Sequence, residues 1–283
     1  MDVVRQGRLV DGTFTAPEGG TILSHHSTSP DLRPEPDPIA NTLETRQTPP
    51  LFGLGFLESV TDAEVLAHAD CGDPDPAAIA GCPHVLSTGR LGRFGWKADV
   101  PSLDEFARDA LSNETGVSVP QVSGLTFGAS TDADDVADPE ITEPDIDALV
   151  FYMRHLAPPP GQSKDPEAEA SGKASFEQVG CTGCHAERFV APGGAVAYTD
   201  LLLHQVAPDG SPGIADGSAG PLAIRTPPLW GISLTPPYMH DGRSFSIADA
   251  IERHDAEAAG ARRAYEALSP VAKANLLAFL ASL

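Results

Sequence analysis

Cys181-Thr182-Gly183-Cys184-His185 constrains this chain more than any other stretch. A C-x-x-C pair alone suits zinc, a redox dithiol or haem, and the His directly after it narrows the choice to attachment of a c-type haem. The two thiols add across the haem vinyl groups, and the adjacent imidazole supplies one axial nitrogen to the iron. Tether and ligand then arrive on one turn of chain. Residues 172–179 read as a helix, with Lys173, Phe176 and Val179 on related faces, and Gly180 leads from it into the motif. The motif occurs once in the 283 residues, so the local reading is a cytochrome with one covalently bound haem c.

Acids outnumber bases by 40 to 18, a formal charge of −22. Nucleic acid is excluded as a partner, because its phosphates would be repelled. A basic redox partner is compatible, since opposite charge steers encounter, and the same charge serves solubility. No apolar run approaches the roughly 18 residues of a transmembrane span. Gly and Pro, 27 each, point to many turns, so regular structure is expected to be helical and sparse, with no strand signal that supports a sheet.

Of the four cysteines, Cys71 and Cys82 remain once the haem motif is set aside. Covalent haem attachment and disulfides both belong outside the cytoplasm. A Cys71–Cys82 bridge closing a short Pro- and Asp-rich loop is therefore expected, with a periplasmic or otherwise extracytoplasmic location. Met1 to Gln6 lack the apolar core of a signal peptide. The expectation is a leader already removed, or a sequence that begins within a longer polypeptide.

Residues 1–45 read as an irregular surface segment, and the chain turns apolar over 48–57. Thr61 to Glu64 form a capping box that opens a short helix. Ser102 to Glu105 cap a helix through Phe106, Ala110 and Leu111. After an acidic loop over 128–144, Glu143-Pro144-Asp145 starts a helix with Ile146, Leu149, Val150, Met153 and Leu156 on its apolar set. Pro158-Pro159-Pro160-Gly161 ends it, and the charged, small residues that follow mark a linker over 161–170. Ser246 to Asp249 cap a helix through Ile251 and His254. Ser269-Pro270 place an N-cap and a proline at the start of a final helix carrying Leu276, Leu277, Phe279 and Leu280. Packing of that helix beside the haem-bearing one is what a cytochrome c fold requires.

Spacing alone leaves the second axial ligand open among His204, Met239, His240 and His254. Met239 lies 54 residues beyond His185, a normal interval for a His/Met carrier, and a Met ligand raises the potential.

Three segments carry a resemblance: Arg46 to Glu58 (RQTPPLFGLGFLE), Gly92 to Leu103 (GRFGWKADVPSL), and Arg225 to Gly231 with Pro237 to Arg243 (RTPPLWG and PYMHDGR). Over roughly residues 45–283 the chain is similar to the bacterial di-haem oxidoreductases of peroxidase type, also called thiol oxidoreductases. These are related to di-haem cytochrome c peroxidases and to the di-haem enzyme that matures methylamine dehydrogenase. The resemblance implies a mainly α fold of two cytochrome c-like domains with long irregular loops. These are an incomplete N-terminal domain over 1–160, the linker 161–170, and a C-terminal haem domain over 171–283.

It also implies a distal ligand about 14 residues beyond the His of the H-D-G motif, which is His254 counted from His240. Met239 becomes the alternative ligand. Arg225 and Arg243 are implied partners of the haem propionates. Trp96 matches an inter-haem Trp, and Asn113-Glu114-Thr115-Gly116 resembles an N-E-M-G motif whose Glu is the acid/base, here Glu114. The family's first C-x-x-C-H lies upstream of the Arg46 segment and is missing from this sequence; Cys71 and Cys82 cannot replace it. A second haem is thus expected in the full family architecture, and the chain is expected to be a fragment of, or derived from, a di-haem oxidoreductase with peroxidase-like activity. Its electron donor would be a small cytochrome or cupredoxin. The alternatives are a stand-alone mono-haem electron carrier without enzymatic activity, and a redox-inert interaction protein with a vestigial motif. No free dithiol remains to support thiol chemistry.

Overall fold

The computed structural model describes all residues except 1, 12, 18–20, 24–34, 73–78, 126, 133 and 208–212. Residues 24–34 of the segment read as irregular, and residues 73–78 of the Cys71–Cys82 loop, lie outside the described residues. The rest of the N-terminal segment corrects that reading: it forms a four-stranded antiparallel sheet. Strand β1 (Asp2–Val10) pairs with β2 (Thr13–Thr15), with β3 (Ile22–Leu23) and along most of its length with β4 (Thr42–Gln47). Side-chain alternation in β4 is present but inverted in polarity. In β4 the inward residues are Glu44 and Arg46, both buried and 3.2 Å apart, while Leu43 points outward at 48% exposure. A reading that looks for apolar residues at every second position passes over such a strand. Two buried charges are tolerated here because they pair with one another and Glu44 also accepts from the Ile214 amide.

Eight α-helices among the described residues make the fold mainly α. Helices α1 (Leu54–Ser59), α2 (Asp62–Leu66), α3 (Leu103–Asp109) and α4 (Glu143–His155) surround a first core that includes Leu57, Phe94, Leu103, Ile146 and Val150. Thr61 and Glu64 make the reciprocal capping box expected of them, and Ser102 caps α3. A π-helical turn, Ala110–Glu114, continues α3. The same core takes in Phe189, Leu201, Leu202 and Trp230 from beyond residue 170, so side chains from both sides of the 161–170 segment share it.

Helix α5 (Pro166–Gln178) starts earlier than the sequence suggested, capped by Asp165 within the segment read as linker. It crosses α8 (Pro270–Ser282), whose N-cap is Ser269. Phe176, Leu276, Phe279 and Leu280 form the second core there with Tyr198 and Tyr265, the latter from α7 (Ala259–Glu266). Each such side chain contributes roughly 1.5–3 kcal/mol on burial. The crossing is close because Gly172 faces the α8 backbone; a Cβ there would lie 1.9 Å from the Asn275 carbonyl oxygen. Strand β5 (Leu203–Gln205) pairs antiparallel with β6 (Ala223–Arg225), and the short helix α6 (Ile247–Glu252) packs Ile247 and Ile251 against the second core. Cys71 and Cys82 form the expected disulfide. Among the described residues no helix is long and apolar enough to cross a membrane.

Candidate functional site

Gly180 ends α5 in the left-handed region (φ 92°), which lets the chain turn sharply into a 3-10 turn over Cys181–Gly183. Cys181, Cys184 and His185 thereby reach the wall of a cavity of about 390 Å³, within the 300–1,000 Å³ usual for cofactor sites. Burial pushes the Cys181 thiol up to about 12, and burial also raises Cys184 against the opposing pull of His204. Such thiols stay protonated. A redox dithiol needs thiolate character at rest, which this burial disfavours.

His185 donates from Nδ1–H to the Tyr198 carbonyl at 3.0 Å. On the facing wall His254 donates likewise to the Ala250 carbonyl at 2.7 Å. Each bond fixes the tautomer and leaves Nε2 carrying the lone pair, the ligand form of imidazole. The two ring centres are 6.5 Å apart. Two imidazoles bound end-on to one metal ion through bonds of about 2 Å place their centres roughly 6 Å apart. Burial, first, and then the neighbouring His254 push His185 down to about 4, and burial lowers His254 as well. Both rings are therefore neutral donors at neutral pH. His254 does not ride on the capped helix as expected: α6 ends at Glu252, two residues before it. Met239, at φ 68°, lines the same cavity.

Arg225 is buried on β6, giving Nε–H to the Gly95 carbonyl at 2.9 Å and a terminal N–H to the Thr226 carbonyl at 3.2 Å. It has no carboxylate in ion-pair distance among the described residues. Burial lowers it to about 10, with Asp99 and Asp200 opposing from a distance. A buried guanidinium facing a cavity without an anion is costly, and a carboxylate-bearing cofactor would relieve it. The residues present thus fit a haem: two tethering thiols, two opposed imidazoles and a cation for a propionate.

Trp96 forms another part of the wall, its Nε1–H donating to the Gln47 carbonyl at 2.6 Å and its ring edge-on to His240 at 6.5 Å. His240 is buried, its pKa lowered chiefly by burial, with Nε2 3.7 Å from Glu44. Arg243, expected at the propionates, is not brought to the cavity, and Glu114, expected at a separate N-terminal site, lies apart from it as well. Arg243 pairs with Asp241 at 3.1 Å with its side chain 54% exposed, because the left-handed turn at Met239 and Gly242 directs it outward. Glu114 closes the π-helical turn, away from the lining residues, where burial and then Asp109 raise its pKa.

Sequence reasoning missed Arg262, on α7. It lines the cavity, holds Asp255 at 3.2 Å and keeps a buried Nε without a partner. It also weighed His204 only as a ligand. His204 is instead held between Asp200 (2.8 Å) and Glu257 (3.2 Å) and touches Cys184. Burial opposes its protonation, but hydrogen bonds to Asp200, Cys184 and Glu257 push it up to about 12. Such long-range clusters leave no local sequence signal.

No curated protein sequence matches the chain. Among solved structures, a MauG-like protein associated with microbial copper homeostasis is similar at 22% identity, over 81% of this chain and 79% of that one, with a TM-score of 0.44. Hydrazine synthase of Kuenenia stuttgartiensis is similar at 19% identity, over 49% of this chain, with a TM-score of 0.38. The chain spans 55% of the length of that hydrazine synthase chain. Residues 40–283 match the family model described as "Di-haem oxidoreductase, putative peroxidase", and with most of its length so matched the chain belongs to this family of haem-based redox proteins.

Proposed function

We propose that the chain carries one haem c, attached through Cys181 and Cys184, with His185 and His254 as axial ligands. It acts as the electron-relaying part of a di-haem oxidoreductase with peroxidase-like activity. The observation that carries this reading is the opposed pair of Nδ1-anchored imidazoles at 6.5 Å beside the two thiols. Haem c supplies reversible one-electron transfer, and two imidazole ligands keep its iron low-spin and closed to substrate.

The protein's own groups do the rest. Tyr198 and Ala250 carbonyls hold the imidazoles in the ligating tautomer. Arg225 and Arg262 offer cations to the propionates, bidentate partners by the shape of guanidinium. Trp96 stands in the wall towards the N-terminal half, which suits it to pass electrons towards a site supported by Glu114. The acidic surface suits a basic electron donor, a small cytochrome or cupredoxin. The Cys71–Cys82 disulfide supports a periplasmic location. In this reading residues 171–283 form the cytochrome c-like haem domain, with the crossing of α5 and α8 in its support, and residues 1–160 the incomplete partner domain.

A second reading, a stand-alone mono-haem electron carrier, is favoured by the single C-x-x-C-H motif in this sequence. Protein produced with a c-type maturation system tests both. One covalent haem, a low-spin spectrum and negligible peroxide turnover are expected. His254→Ala should turn the spectrum high-spin; an unchanged spectrum moves the distal ligand to Met239, and robust turnover refutes the relay-only role of this chain.

A further inference from the structure

One stretch of chain tethers both histidines. Tyr198 accepts from His185, and six residues on, His204 grips Glu257, which follows His254 by three residues. The segment between is stiff for physical reasons. Tyr198 (φ 51°) and Leu201 (φ 62°) occupy the left-handed region without being glycine, a conformation that persists where surroundings fix it. Thr199 and Asp200 each accept a backbone amide from two residues ahead.

His204 is the centre of the arrangement. Its Nε2 faces Asp200 at 2.8 Å and its Nδ1 faces Glu257 at 3.2 Å, with His204 and Asp200 both buried. A carboxylate only accepts hydrogen bonds, and a neutral imidazole has a single N–H. Both contacts are satisfied together when the ring carries two protons, giving two charge-assisted hydrogen bonds. Glu257 spends its remaining capacity on backbone, accepting from Gln205 at 2.8 Å and from Ala80 at 3.2 Å. The Asp255 amide donates to Val206 at 3.0 Å. The residues after His254 are thus stitched to β5, whereas α6 itself stops two residues before the ring.

We propose that Asp200, His204 and Glu257 form a charged clamp that positions His254 at the sixth coordination site. His204 is a positioning residue in this scheme, not a ligand. The inference rests on the haem reading above and goes beyond it, since it assigns the strength of distal ligation to three residues outside the haem motif. With the clamp intact the iron is closed; with it loosened His254 dissociates and the site admits small ligands.

The test uses holoprotein of the full chain and its His204→Asn and Glu257→Gln variants, with His254→Ala as the open-site reference. Cyanide binding to the ferric protein and the high-spin fraction are measured. Each variant should keep one covalent haem and a wild-type far-ultraviolet spectrum, gain high-spin character and bind cyanide about tenfold to a hundredfold faster, the factor expected for losing one charge-assisted hydrogen bond. Wild-type spectra and cyanide rates in both variants would overturn the clamp. So would failure of both to give folded holoprotein, which would make the triad a support of the whole fold. Wild type without covalent haem, or an unchanged spectrum in His254→Ala, would overturn the haem reading or the ligand assignment respectively, and the clamp with it.

Discussion

Substituting Gly172 by Ala separates two opposing effects cleanly. In an exposed helix this change stabilises by about 0.5–1 kcal/mol, because Ala loses less backbone entropy on folding. Here the added methyl would lie 1.9 Å from the Asn275 carbonyl oxygen, 2.5 Å from its carbon and 2.8 Å from the Phe279 Cβ. The obstacles are largely backbone of α8 and cannot rotate aside, so α5 and α8 must part by at least about 1 Å, an overpacking that costs about 1–3 kcal/mol or more. The core of Phe176, Leu276 and Phe279 opens with them. The net expectation is destabilisation of about 2 kcal/mol, read as a lower denaturant midpoint with unchanged slope. Gly260, in α7 with nothing within 4 Å of its would-be Cβ, provides the matched comparison: Gly260→Ala should be neutral or stabilising by up to about 1 kcal/mol. Stabilisation by Gly172→Ala comparable with that at Gly260 would refute the close crossing.

Other outcomes follow from the buried charges. Burial, first, and then Asp216 raise Asp99 to about 7. Between the ordinary carboxylate range and that value the folded chain holds a proton the unfolded chain has lost. Its contribution is fully present below about pH 4 and is lost as pH rises through 7, with a slope approaching about 1.4 kcal/mol per pH unit. Asp99→Asn should flatten that decline and leave the protein more stable than wild type at pH 8; a steeper decline in urea titrations would contradict it. Glu44→Gln should cost about 3–5 kcal/mol by leaving Arg46 charged and buried, whereas Glu44→Met with Arg46→Met should recover much of the loss; equal loss in single and double variants would argue against the pair.

What could be read in advance was local. The four Thr and Ser caps at 61, 102, 246 and 269 each act within three residues, and all four formed. Strand β4 could not be read, because its buried residues are Glu44 and Arg46, charges that look exposed until each other's position is known. The end of α6 before His254 was equally hidden, since the helix stops where the chain is captured by β5 rather than at a breaker residue.

The Cys181–His185 motif by itself carries the proposed tether and first axial nitrogen, because five consecutive residues contain all of that chemistry. The residues proposed for the distal side, for the propionates and for the His204 clamp come together only in the tertiary structure. Arg225 and Arg262 come from different elements, and His204 meets Glu257 across 53 residues. Charge and ligand geometry at a cavity depend on which distant side chains are brought to its wall, and packing alone settles that.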